Sequence, residues 1–315
     1  MSLDSEIAAF VGEPVEQPLL TAELVPMVRL GMAAGAAAMP RAEVGAVRDL
    51  VAPGPAGDIK LRLYLPEGTV TPPLLFFIHG GGWMLGNLET HDAMCRQLAW
   101  DSGYALVAID YRLAPEHPFP AGLDDCDAAW GWLCANAARL GCDPARIALG
   151  GESAGANLTA ALALRLRDRG AAQPLFQLII HPVTDMRFPG ASIDSVKASG
   201  MTRANILAGR ALYLPDPADI EHPHASPFLA GDHRGLAPAI ILTAEEDPLR
   251  DDGETYALAL AAAGVETLVQ RLPGLPHGFL FLPTTIGTVR RAYGLIGALL
   301  RRYATIGEHS ATGER

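Results

Sequence analysis

The chain has 315 residues, half of them hydrophobic, with 35 acidic side chains against 24 basic ones and a formal net charge of −11. That length suits one large α/β domain or a domain with an appendage, and that charge argues against nucleic acid or an anionic membrane as a partner. Cys95, Cys126, Cys134 and Cys142 show neither a C-x-x-C pair nor metal-ligand spacing, so buried free thiols in a reducing cytoplasm are expected.

The first residues, Met1-Ser2-Leu3-Asp4-Ser5-Glu6, are acidic where a signal peptide would be basic. The apolar stretch 19–39 is interrupted by Glu23, Pro26 and Arg29 and makes a poor membrane span. Residues 3–11 and 21–39 read as helices, the second with Thr21 as N-cap and Leu24, Met27, Val28, Met32 and Ala36 at helical spacing. A Met-rich helix of this kind suits an adaptable cover over an apolar site. Residues 44–51 and 59–65, separated by Ala52-Pro53-Gly54-Pro55-Ala56-Gly57-Asp58, read as a β-hairpin. The continuous apolar run 74–78 predicts a central buried strand. It ends in His79-Gly80-Gly81-Gly82-Trp83, where consecutive glycines leave backbone N–H groups unshielded and suited to donate to an oxyanion. A phosphate cradle would need the Lys-Ser/Thr of a P-loop, which is absent.

A helix over 88–101 and a buried strand over 105–109 follow. Residues 111–121 contain Pro115, Pro118 and Pro120, which forbid regular structure and predict a rigid loop wrapping the surface. A helix is expected over 122–140, then a short buried strand at 147–149. Gly151-Glu152-Ser153-Ala154-Gly155 then fits G-x-S-x-G, with an Ala- and Leu-rich helix over 154–169, which is the strand–turn–helix context of a nucleophile elbow. The flanking glycines have a mechanical reason, since side chains at Gly151 and Gly155 would strike neighbouring backbone in so sharp a turn. A strand is predicted at 176–180, after which the α/β rhythm stops. Residues 187–225 hold no clear strand and one helix, over 198–214; an insertion of that length is usually functional, and here it reads as part of a cap. Strand 239–243, helix 252–263, strand 267–272 and an amphipathic helix over 286–303 close the pattern, with 306–315 a polar, disordered tail. Strands alternating with helices imply a mainly parallel sheet covered on both faces.

A serine needs a base, and the base an orienting acid, in the chain order Ser…Asp/Glu…His for this topology. Beyond the last strand lie only His277, in the loop directly after it, and His309, in the tail. For the acid, Glu245, Glu246, Asp247, Asp251 and Asp252 compete, and Pro248 favours Asp247 by fixing the backbone just after it. Neither a G-x-G-x-x-G after a strand nor a third ligand beside His222-Pro223-His224 is seen, so neither cofactor nor metal is expected.

His79-Gly80-Gly81-Gly82, the run from Tyr111 to Ala121, Gly151-Glu152-Ser153-Ala154-Gly155, the run from Asp247 to Asp251, and His277-Gly278-Phe279 together resemble the bacterial hormone-sensitive-lipase-like esterases. The resemblance implies an α/β-hydrolase fold: a core over 46–186 and 226–305, with a helical cap from 1–45 and 187–225. It implies Ser153, Asp247 and His277 as a catalytic triad and the backbone N–H groups of Gly81, Gly82 and Ala154 as an oxyanion hole. Glu152 departs from the family's usual Asp, and His79 is a structural loop residue there. Trp83, Met84 and Leu85, with Met32, Met201 and Tyr213, are expected to line the substrate pocket. The function implied is a serine carboxylesterase acting on short- to medium-chain esters of small molecules. Amide, lactone or carbamate hydrolysis uses the same triad. A non-catalytic ligand-binding protein on this scaffold would break the triad, and all three positions are filled. Dimerisation through an edge strand is a further expectation from the same resemblance.

Overall fold

The computed structural model describes residues 2–12, 18–196 and 201–311. Its elements run α1 (Ser5–Val11), α2 (Val25–Ala37), β1 (Ala46–Gly54), β2 (Gly57–Leu65), β3 (Leu74–Ile78), α3 (Asp92–Ser102), β4 (Ala105–Asp110), α4 (Ala121–Asn136), β5 (Ile147–Glu152) and α5 (Ala154–Asp168). They continue as β6 (Gln177–Ile180), α6 (Ser192–Ser195), α7 (Arg203–Tyr213), β7 (Ala239–Glu246), α8 (Arg250–Ala262), β8 (Thr267–Pro276) and α9 (Gly287–Ala311).

The strands form one sheet in the order β1-β2-β4-β3-β5-β6-β7-β8. Only the β1–β2 and β2–β4 pairings are antiparallel; the other five are parallel. The continuous apolar run of β3 is explained by burial on both faces. Leu74, Phe76 and Ile78 pack with α4 and α5, while Leu75 and Phe77 pack with α3 and α9. Helix α8 lies with α5 against β7. The central strands β3 and β5 therefore end, side by side, at the same rim of the sheet.

Several boundaries differ from those the sequence predicts. The hairpin strands extend until only Pro55 and Ala56 remain between them, with Gly54 paired to Gly57. Pro53 is tolerated because β1 is an edge strand, where a missing N–H costs no ladder bond. Helix α2 starts at Val25 rather than Thr21, since the Thr21 carbonyl takes the Leu24 and Val25 N–H groups in a preceding turn. The helix expected over 198–214 is α7, capped by Thr202, whose side chain accepts from the Asn205 N–H at 3.2 Å; residues 197–200 lie outside the described residues. No proline interrupts α9, which carries on to Ala311 through most of the stretch expected to be a disordered tail.

The proline-rich loop after β4 runs half-exposed along the surface, with Glu116, His117 and Pro120 exposed, and is pinned inward at two points. Tyr111 and Ala114 are buried, the Ala114 N–H donates to the Trp83 carbonyl (2.9 Å), and the Phe119 N–H donates to the Tyr213 carbonyl (3.0 Å). Its backbone thus joins the glycine loop to α7. Cys134 is exposed, unlike the other three cysteines.

Candidate active site

Strand β5 runs straight into Ser153, whose backbone is held at φ +53°, ψ −118°, immediately before α5 begins at Ala154. The turn is possible because its neighbours lack side chains. A Cβ on Gly155 would sit 1.9 Å from the Ile78 carbonyl oxygen, and one on Gly151 would sit 2.5 Å from the Gly155 backbone. The Ser153 N–H donates to the Ile180 carbonyl at 2.9 Å, which fixes the bend to β6. The N-terminal end of α5, with its positive dipole, lies beside the serine oxygen and favours negative charge there.

Residues 124 and 30 positions apart in sequence complete the arrangement. The Ser153 hydroxyl donates to His277 Nε2 at 2.9 Å, and His277 Nδ1 donates to Asp247 Oδ2 at 2.8 Å. Asp247 is fully buried at the end of β7, and its Oδ1 accepts the Leu249 N–H at 2.7 Å. Three of the four competing carboxylates are engaged elsewhere, and Glu246, buried at the end of β7, has an Oε1 without a hydrogen-bond partner among the described residues. Glu245 accepts from the Gly274 N–H, Asp251 from the Ser192 N–H, and Asp252 from the Thr184 N–H. Burial pushes the Asp252 carboxyl up to about 7. Burial pulls the His277 imidazolium down, but the charge and hydrogen bond of Asp247 and the charge of Glu152 outweigh it, so His277 stands above its ordinary value of 6.5.

Glu152 is the centre of a second buried cluster under the serine. Its Oε1 accepts the Gly80 N–H at 2.5 Å and lies 3.3 Å from His91 Nε2; its Oε2 lies 3.9 Å from His181 Nε2. Burial alone would raise its carboxyl, yet the His91 hydrogen bond and the nearby His181 and His277 hold it down at about 2. The His181 ring is 4.4 Å from that of His277, and burial keeps it neutral, at about 4. The sequence offered little sign of either histidine's part, since His91 and His181 lie 61 and 29 residues from Glu152. His79 is buried and stacked on Tyr111 at 4.4 Å, with burial holding it at about 3.

The glycine loop faces the serine across a cavity of about 350 Å³. Gly81 and Gly82 have φ +103° and +61°, and the Gly81 carbonyl anchors the loop by accepting from Met84 and Leu85 N–H groups. Gly81, Gly82, Ala154, Trp83, Met84, Leu85 and Met201 all line the cavity. Met32 and Tyr213 do not. Met32 is half-buried on α2, whose Arg29 is the residue that reaches inward, donating to the Met84 carbonyl (2.8 Å) and the Ala114 carbonyl (3.0 Å). Tyr213 lies behind Trp83, the rings parallel at 4.4 Å, while Trp83 Nε1 donates to Asn157 Oδ1 at 3.2 Å. The wall also includes Leu20, Val183, Phe188, Asn205, Ile206 and Gly209. The Leu20 N–H donates to Asn205 Oδ1 at 3.0 Å and so joins the N-terminal segment to α7.

Among the described residues one group offers metal-type ligand atoms in proximity: His181, Asp247 and His277, within 4.8 Å of one another. Two of these are already hydrogen-bonded to each other. His222 and His224 instead pack ring against ring at 5.1 Å, with Phe119 beside His222.

The chain is similar to known proteins over most of its length. The family described as having the alpha/beta hydrolase fold matches residues 75–281. The chain is 44% identical over 266 residues to the carboxylic ester hydrolase LipN of Mycobacterium tuberculosis, covering 81% of this chain and 70% of that protein. It is 42% identical to the carboxylesterase NlhH of the same organism, covering 78% of each. Among solved structures, a hyperthermophilic esterase from the archaeon Pyrobaculum calidifontis superposes with a TM-score of 0.89 at 35% identity, covering 96% of this chain and 99% of the other. Among the described residues no helix is long and apolar enough to cross a membrane.

Proposed function

We propose a role for each residue of this site on one premise: the chain belongs to the α/β-hydrolase fold family, among its hormone-sensitive-lipase-like esterases. It is a serine carboxylesterase. His277 takes the Ser153 proton through Nε2, and Ser153 Oγ attacks the ester carbonyl to form a tetrahedral intermediate. Its oxyanion is received by the backbone N–H groups of Gly81, Gly82 and Ala154, with the α5 dipole adding to the same potential. His277 returns the proton to the departing alcohol, and water activated by the same imidazole then releases the acid from the acyl-enzyme. Asp247 holds His277 in the tautomer with a proton on Nδ1 and stabilises the imidazolium once it forms.

The observation that carries this reading is the unbroken hydrogen-bonded chain from Asp247 through His277 to Ser153, opening on a cavity lined mainly by apolar side chains. A cavity of about 350 Å³ with few polar groups suits a small ester with a short- to medium-chain acyl group. Four cysteines that form no disulfide support a reducing compartment, and the cytoplasm is the location we assign. Hydrolysis of p-nitrophenyl esters of graded acyl length tests the function. The wild-type protein should turn over acetate to octanoate, and Ser153→Ala should lose on the order of a millionfold in kcat. Equal rates from both proteins would remove the serine mechanism.

A further inference from the structure

The α7 residues that line the cavity are Asn205, Ile206 and Gly209, the last lying four and three positions after the other two on the same side of the helix. Gly209 is the one that contributes no side chain. Glycine inside a helix is disfavoured; at some helical positions a close neighbour excludes a side chain, and at others, such as Gly131 in α4, no described neighbour does. At Gly155, Gly253 and Gly297 the reason is a close neighbour: an added Cβ would lie 1.9 Å from the Ile78 carbonyl oxygen, 2.9 Å from Thr243 Cγ2 and 2.4 Å from the Asp101 carbonyl oxygen, respectively. Gly209 has no such constraint. Among the described residues, the neighbour that its Cβ would meet within 4 Å is the terminal methyl of Met84, at 3.1 Å. That methyl is the far end of a flexible thioether, which yields by a few tenths of an ångström at little cost. The fold does not need glycine here. The empty volume falls to the cavity.

Met84, itself buried, has a second glycine beside the same methyl. The same methyl lies 3.5 Å from where a Cβ on Gly82 would be, beside the glycine loop that faces Ser153. The methionine tip is thus held between two positions without side chains, one on α7 and one next to the reacting centre. From this we infer that Gly209 and the Met84 thioether form an expandable slot that receives a bulky apolar arm of the ester, branched-alkyl or aryl, and so determine specificity. The inference rests on the esterase reading above and adds the substrate class. An occupant displaces a soft side chain rather than backbone, so the slot widens without disturbing the hydrogen-bonded chain at Ser153.

The test compares kcat/KM for bulky and small esters on each arm: p-nitrophenyl phenylacetate against acetate, and benzyl against ethyl butyrate. On the arm that enters the slot, Gly209→Ala should lower the bulky-to-small ratio by about threefold and Gly209→Phe by thirtyfold or more, in line with what one or several carbons contribute in an apolar pocket. Adding Met84→Ala to Gly209→Phe should restore part of that ratio. Gly209→Ala should also raise the melting temperature by about 1–3 °C, because alanine is the better helix former. Ratios unchanged within twofold on both arms overturn the slot, as does a fall in melting temperature on Gly209→Ala, which would mean that packing requires the glycine. If Gly209→Phe does not fold, Gly209→Ala decides alone. Labelling of Ser153 by a fluorophosphonate, run in parallel on the wild-type protein, separates the two claims. Labelling with flat ratios overturns the slot only, whereas absent labelling overturns the esterase reading.

Discussion

Ser153 keeps a backbone conformation that costs of the order of 1–3 kcal/mol for a residue with a side chain. It is retained because strands β5 and β6 and two glycines leave no alternative path, and the strain places Oγ within reach of His277. The buried carboxylate one residue earlier sets the electrostatics. Glu152 and Asp247 both favour the imidazolium form of His277, whose neutral form is the base in the proposed mechanism. The acid limb of kcat/KM should therefore have its midpoint above pH 6.5. Glu152→Gln removes one of those charges, lowers the His277 value, and should move the limb to lower pH by roughly half a unit. A limb that stays in place or moves upward would contradict this. Stability follows the same shifts with opposite signs. The contribution of His277 is fully present below its unfolded value of 6.5 and is lost as pH rises through the higher folded value. That of Glu152 is present above 4.5 and is lost as pH falls toward about 2. Ser153 and His277 were legible in the sequence because each sits in a local pattern, a strand-to-helix turn and a post-strand loop. Nothing local distinguishes His91 or His181, whose contact with Glu152 exists only once β5, β6 and α3 are assembled.

At the scale of elements, the site is the rim where β3 and β5 end together. The glycine loop leaves β3, the serine leaves β5, and α5 points its N-terminus between them. That juncture depends on Gly155, so Gly155→Ala should destabilise the protein by about 3–5 kcal/mol in chemical denaturation, since its Cβ would overlap the Ile78 carbonyl. Gly131→Ala in α4 is the matched control. No described atom beyond its own helix backbone and chain neighbours comes within 4 Å of the added Cβ, and the change should stabilise by about 0.5–1 kcal/mol. Equal effects from the two would show that the turn tolerates a side chain after all. The alternation of strands and helices was readable from hydrophobic period, because each strand is buried on one face or both. Helix starts were less so: Thr21 has the right chemistry for an N-cap, but Pro26 and the turn closed by its own carbonyl put the start at Val25.

At the scale of the whole molecule, one sheet positions Ser153, Asp247 and His277, and two distant parts of the chain, Leu20 and the α7 residues Asn205, Ile206 and Gly209, join the cavity wall. Arg29 ties α2 to the glycine loop and to Glu116 (2.7 Å), and Asn205 ties Leu20 to α7. These contacts span 87 and 185 residues, beyond any local signal. The sequence-based expectation puts Met32 on the cavity wall, where the structure has Leu20. Of the six side chains expected at the pocket, Trp83, Met84, Leu85 and Met201 line the cavity, and Met32 and Tyr213 do not. The excess of acidic residues is offset locally by arginine pairs such as Arg112–Asp125 and Arg290–Asp101, away from the cavity, whose charged lining among the described residues is Glu152 beside His277. The central claim is that Ser153 alone is activated as a nucleophile by His277 and Asp247. Its most direct measurement is intact-protein and peptide mass spectrometry after treatment with a fluorophosphonate. One adduct on the peptide carrying Ser153, absent in Ser153→Ala and slowed at least a hundredfold in Asp247→Asn, is the predicted result. Folded wild-type protein that carries no adduct, or carries it on another residue, would contradict it.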